Sequence, residues 1–256
     1  MIQTDRLTSE REFHDRQAAE RARHFAVVRS ELIFPDSAYL DHETWIRPAV
    51  NRLGSLGGKR ILDFGCGHGM AATVFARNGA DVTAFDLSPG YVREAKERAQ
   101  ANGVHARFLV ADGEQLPFMD GSFDAVWGSA ILHHLDLALA GRELFRVLKP
   151  GGVAVFCEPW DGNPLLRFAR SYLPYPGKHR TRDEQPLTSA MLVPLREIFP
   201  DLIVEPHQLL GMVGRVWKSR FLASRLARMD RVLFRTVPGL AKWSRYVVVA
   251  LRKPAC

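Results

Sequence analysis

The chain has little cysteine. Cys66, Cys157 and Cys256 are odd in number and far apart, a pattern that suits a reducing compartment better than a disulfide framework. No apolar run approaches the roughly 18 residues of a membrane span. The opening MIQTDRLTSEREFHDR is charged where a secretory signal needs an apolar stretch, so a cytoplasmic protein is expected. Internal repeats and low-complexity tracts are absent as well, which excludes solenoid and disordered architectures. Acid is scarce at one end only. Residues 1–214 hold 24 Lys+Arg against 27 Asp+Glu, whereas residues 215–256 hold 11 against one, Asp230. The net charge of +7 is therefore local, and a chain-wide case for nucleic-acid binding fails.

What is present is 256 residues at 46% hydrophobic content, enough for one substantial core. Glu10 to about Leu53 reads as a helical N-terminal cap, and Gly54, Gly57 and Gly58 mark a linker. From Arg60 the periodicity switches to short buried strands alternating with helices: strands over 60–64, 81–85, 106–110, 123–127 and 152–158, helices over 70–78, 89–102 and 137–148. That rhythm predicts a doubly wound, mostly parallel α/β sheet with ligands above the carboxyl ends of the strands. Five prolines between Pro159 and Pro186 break it. A helix near 189–199, a strand near 202–208, a basic helix near 219–235 and a last antiparallel strand, 246–251, then follow. Three sections are expected: a cap over 1–53, a cofactor-binding core over 54–160, and residues 161–256 completing the same domain with a substrate lid and edge strands.

The chemistry gathers at the strand ends. In DFGCGHG, Gly65, Gly67 and Gly69 alternate at a strand-to-helix turn, where the backbone can approach a ligand without a Cβ in the way. Gly67, Gly69 and Ala72 also satisfy the permissive dinucleotide pattern, so the turn alone is ambiguous. Asp86 closes the second strand 21 residues after Gly65, the place of an acid that accepts from ribose hydroxyls. Ser88 and Pro89 already supply a helix cap and first-turn residue, which leaves Asp86 freer for a ligand.

The ordered series DFGCGHG, FDLS, ADGEQLPF, FDAVWGSAILHHL, LFRVLKPGG and VFCEPW resembles the class I S-adenosylmethionine-dependent methyltransferases. It is most similar to the branch that includes ubiquinone and menaquinone C-methyltransferases and many natural-product O-methyltransferases. The resemblance covers about residues 58–160 and implies a Rossmann-like seven-stranded sheet with S-adenosylmethionine as methyl donor and a small molecule as acceptor. By the same resemblance Asp63 would orient the glycine loop and the methionine amino group. Gly65, Cys66, Gly67 and Gly69 would line the methionyl end, Asp86 and Leu87 would meet the ribose, and Asp112 and Gly113 the adenine. Ser129 would lie under the sulfonium arm. Asp124 opens a strand and is expected to be structural.

Because the methyl of a sulfonium is already electrophilic, the protein needs chiefly to align a nucleophile and, for a hydroxyl, to take its proton. His133 and His134 are the candidate bases, and adjacent residues on a helix point about 100° apart, so one of them at most should face the site. Glu158, at the end of the fifth strand, is a base, a substrate partner or a solvated acid. Tyr39 and Trp45 in the cap, with Arg167, Tyr175 and Arg180 in the proline-rich connection, are the expected acceptor contacts. The basic helix is amphipathic, so it either touches an anionic membrane surface or packs its apolar face on the protein. A nicotinamide oxidoreductase shares the sheet but leaves ADGEQLPF and RVLKPGG unexplained, and no Tyr-x-x-x-Lys pair is present. A catalytically inert binding protein of the same fold keeps every cofactor residue. No metal site is expected.

Overall fold

The computed structural model describes residues 3–164, 166, 185–215 and 220–255. Seven strands form one sheet: β1 (Arg60–Phe64), β2 (Asp81–Asp86), β3 (Arg107–Val110), β4 (Phe123–Ser129), β5 (Leu148–Pro159), β6 (Ile203–His207) and β7 (Tyr246–Arg252), in the order β3-β2-β1-β4-β5-β7-β6. The first five pair in parallel, and β7 runs antiparallel between β5 and β6. The C-terminal strand is thus not the edge, as the chain order suggests. Tyr246 to Leu251 is apolar, with three consecutive valines, and is buried on both faces, while the edge falls to β6, whose Ile203 is half exposed.

Helices α1 (Gln3–Val27), α2 (Asp36–Leu40), α3 (Ile46–Asn51), α4 (Met70–Arg77) and α5 (Pro89–Ala101) precede α6 (Leu137–Val147), α7 (Val193–Ile198) and α8 (Arg220–Thr236). Their ends follow local chemistry. Ser88 caps α5 by accepting from Tyr91 N, with Pro89 at the first helical position, and Asp136 caps α6 by accepting from Ala138 N and Leu139 N. Two apolar layers sandwich the sheet. One holds Trp45, Phe75 and Trp127, the other Phe64, Phe156 and Phe199. Strand order reverses between β1 and β4, so the crevice above their carboxyl ends is the place for a ligand.

α1 begins earlier than its apolar spacing suggests, at Gln3, because its contacts are ionic. Arg6 pairs with Glu114, and Arg21 with Glu94, which also takes the buried Arg98. Asp15 accepts from Ser88 Oγ and, at 3.0 Å, from Gly90 N. Gly90 permits this: a Cβ there would stand 2.7 Å from the Ala18 Cβ. On α8 only half of the expected apolar face is covered. Leu222, Leu226 and Leu233 are partly buried, but Phe221, Met229 and Val232 are exposed. The single acid of the tail sets this rotation, since buried Asp230 accepts from Leu209 N, Leu210 N and Gly211 N and turns its own side of the helix inward.

Candidate functional site

At the switch point lies a cavity of about 140 Å³, floored by Gly65, Gly67, Asp86, Leu87, Asp112, Gly113 and Ser129 and roofed by Leu7, Glu10 and His14 of α1. Each floor residue is placed by backbone need. Gly65, Gly67 and Gly69 all have left-handed backbones, with φ of 70°, 49° and 79°, which a Cβ disfavours. Their neighbours differ. Nothing lies within 4 Å of where a Gly67 Cβ would stand, whereas at Gly69 it would meet the Ala95 Cβ at 2.6 Å. Gly67 is open to a ligand, and Gly69 lets α4 pack on α5. Gly113 is forced by the Phe64 ring, 2.7 Å from its would-be Cβ.

The acids are tied to the main chain. Asp86 accepts from Gly67 N at 2.8 Å and from Ser88 N at 2.9 Å through different oxygens, leaving one lone-pair direction on each for a ligand. Burial raises its pKa, against the pull of those two bonds. Asp112 accepts from Glu114 N at 2.8 Å. Asp63 lies outside the cavity lining and accepts from Ala72 N at 3.0 Å, fixing the start of α4 below the glycine loop. Burial, with Asp86 adding to it, pushes Asp63 up to about 7. Cys66 is also outside the lining, its thiol raised by burial. Asp124 sits at the opposite end of the sheet, accepting from Arg60 N and pairing with Lys149.

The two adjacent histidines part company. His134 lines the cavity, with Nδ1 3.5 Å from Glu10 Oε1 and its ring against His14. The His133 side chain is 2% exposed and lies behind the wall, with Nδ1 2.7 Å from Glu158 Oε2. Glu158 is fully buried and also accepts from Ile131 N at 2.9 Å and Leu132 N at 3.0 Å. It organises the turn after β4, in which Ala130 takes a φ of 54°, and does not face the crevice.

Tyr39 and Trp45 are core residues here. The Tyr39 hydroxyl accepts from Trp127 Nε1 at 2.9 Å, burial raises its pKa well above the usual phenol value, and Trp45 stacks on Tyr246 at 4.6 Å. Arg167, Tyr175 and Arg180 lie outside the described residues. The sequence reading missed Leu7, Glu10 and His14. Their i, i+3, i+7 spacing shares one helix face, a signal hidden because that reading started α1 at Glu10. The His14 Nδ1 is buried without a hydrogen-bond partner among the described residues, and desolvation lowers its pKa.

Residues 62–156, which hold the glycine loop, Asp86, Asp112 and both histidines, match the profile of a family described as a methyltransferase domain. Over this stretch the chain resembles a methyltransferase domain. It is similar to a demethylmenaquinone methyltransferase of Beutenbergia cavernae, 40% identical over 121 residues, 45% of this chain and 49% of that protein. It also resembles a malonyl-(acyl-carrier protein) O-methyltransferase of Enterobacter lignolyticus, 36% identical over 135 residues and 52% of each chain. The chain thus spans about half the length of the curated relatives it matches. Among solved structures the (4+2)-cyclase SpnF is similar at 26% identity, with a TM-score of 0.56 over 82% of this chain and 80% of that one. The fold that carries this crevice is therefore shared with a protein named for another reaction.

Proposed function

We infer that this protein transfers a methyl group from S-adenosylmethionine to the oxygen or carbon of a small-molecule acceptor. The observation that carries this reading is the crevice above β1 and β4, where Asp86 and Asp112 turn toward one cavity beside the open Gly67. The residues present fit the donor. Asp86 offers free acceptor directions to two ribose hydroxyls, Gly67 leaves room for the methionyl end, and Asp112 with Gly113 suits a flat base. When bound, the donor supplies an electrophilic methyl. The protein positions the acceptor and excludes water, and His134 takes the proton of an oxygen nucleophile. At about 140 Å³ the cavity is smaller than the few hundred Å³ of most ligand sites, because α1 covers it. Entry of the donor therefore requires α1 to lift, and the segments 10–53 and 159–190 select the acceptor.

Two measurements test this. Calorimetry with S-adenosylhomocysteine reads the donor site, and transfer of a labelled methyl into a small-molecule extract reads the reaction. Absence of binding overturns the whole reading. Binding without transfer favours a second one, a methyltransferase-like fold put to other use, which the similarity to a protein named a cyclase supports.

Contact with an anionic membrane surface is a further part of the proposal. Among the described residues no helix is long and apolar enough to cross a bilayer, but α8 presents exposed Phe221, Met229 and Val232 beside the exposed Arg225 and Arg235, as a surface-lying helix does. Sedimentation with phosphatidylglycerol vesicles, weakened by salt and by Phe221→Ser, is the expected result. Indifference to lipid charge overturns it.

A further inference from the structure

A second cavity lies apart from the cofactor crevice. A cleft of about 840 Å³ opens between the α2–α3 turn and α8, and the two cavities share no lining residue. Its charges are unevenly satisfied. Asp41 is engaged by Arg47 at 2.7 Å and Glu43 by Gln208 Nε2 at 3.1 Å. Arg228 and Arg231, one turn apart on α8, are exposed to the cleft and have no ion pair with a described residue. The only acid on their helix, Asp230, is buried and spent on three backbone amides. Two like charges at i, i+3 oppose helix formation, so the pair is maintained against a cost that an anion would remove.

The wall opposite these arginines is built, not incidental. Gln208 lines the cleft with a left-handed φ of 58°, a conformation that a non-glycine residue keeps only where its surroundings impose it. Here Asp230 imposes it by gathering the next three amides. Gln208 is 6% exposed, and its Oε1 has no hydrogen-bond partner among the described residues. Strain and an unpaired buried amide oxygen meet at one cavity wall, the combination found where structure is kept for a ligand.

We propose that this cleft is a second binding site, for a phosphorylated polyol. The two guanidinium forks bracket the phosphate oxygens, and the Asp41 and Glu43 carboxylates and the Thr44 hydroxyl across the cleft receive the hydroxyls. A free sugar or glycerol phosphate and the headgroup of an anionic glycerophospholipid share this chemistry. The site goes beyond methyl transfer and does not depend on it.

The test is calorimetric titration of the full chain with glycerol 3-phosphate, with Arg225→Gln as a control for loss of charge on the same helix outside the cleft. Saturable binding is expected, reduced at least tenfold in Arg228→Gln/Arg231→Gln and unchanged in Arg225→Gln, with the thermal unfolding midpoint of each variant confirming the fold. Competition by vesicles of phosphatidylcholine and phosphatidylglycerol assigns the site to a lipid headgroup, and failure to compete assigns it to a soluble phosphate. No saturable binding, or an equal loss in Arg225→Gln, overturns the proposal. S-adenosylhomocysteine affinity is unmoved in every variant, so failure here leaves the donor-site reading standing.

Discussion

On the β3-β2-β1-β4 side of the sheet, the acids near the strand ends give their carboxylates to the main chain: Asp63 to Ala72 N, Asp86 to Gly67 N and Ser88 N, Asp112 to Glu114 N. On the side of β7 and β6, Arg228 and Arg231 of α8 are left to solvent and to an open cleft. The first arrangement fixes geometry before a ligand arrives. The second leaves charge to be neutralised by whatever binds. Preorganised oxygens suit a ligand that is always the same, and uncommitted arginines suit one recognised mainly by its charge.

The sharpest way to break this comparison is at the paired histidines, where three side chains near one strand end are assigned opposite duties. His134→Gln is expected to lower turnover on an oxygen acceptor by about 10² to 10⁴, with S-adenosylhomocysteine affinity and unfolding midpoint unchanged. Steady-state kinetics beside calorimetry reads the split. Glu158→Ala strands two buried amides at about 1 to 3 kcal/mol each, so urea unfolding should show a loss of several kcal/mol even without ligand. A stable Glu158→Ala protein that has lost only turnover would reverse the two roles.

Asp86→Ala removes acceptors worth about 1.5 to 3 kcal/mol per charged hydrogen bond, and S-adenosylhomocysteine affinity should fall at least tenfold by calorimetry. A further effect is in pH. The folded Asp63 pKa of about 7 lies above its ordinary 3.8, so the folded state binds the proton more tightly. The Asp63 contribution to stability is then full below pH 3.8 and lost as pH rises to about 7. Urea titrations across that window should show this decline in the native protein and its absence in Asp63→Asn, whose amide oxygen still accepts from Ala72 N.

Legibility from sequence follows the same division. The strand limits over Arg60–Phe64 and Asp81–Asp86, the cap at Ser88 and the start of α6 at Leu137 are local events, and spacing finds them to within a residue or two. Of the expected donor contacts, those at Gly65, Gly67, Asp86, Leu87, Asp112, Gly113 and Ser129 line one cavity. Where a side chain answers to a distant partner, spacing says nothing. Trp45 is drawn to Tyr246, Tyr39 to Trp127, and Asp230 to the turn at Leu209. Glu158 sits at the end of β5, as an active-site acid would, yet Ile131 N and Leu132 N turn it inward.

Asp15 reaches from α1 to the first turn of α5, next in the chain to Asp86. A roof that lifts takes that oxygen with it and leaves Gly90 N, in the first turn of the helix after Asp86, without its acceptor, while Ser88 still caps the helix. On the proposed reading, the hold of α1 over the cavity rests on Arg6–Glu114 and Arg21–Glu94, so release of a ligand from beneath it is expected to quicken with ionic strength.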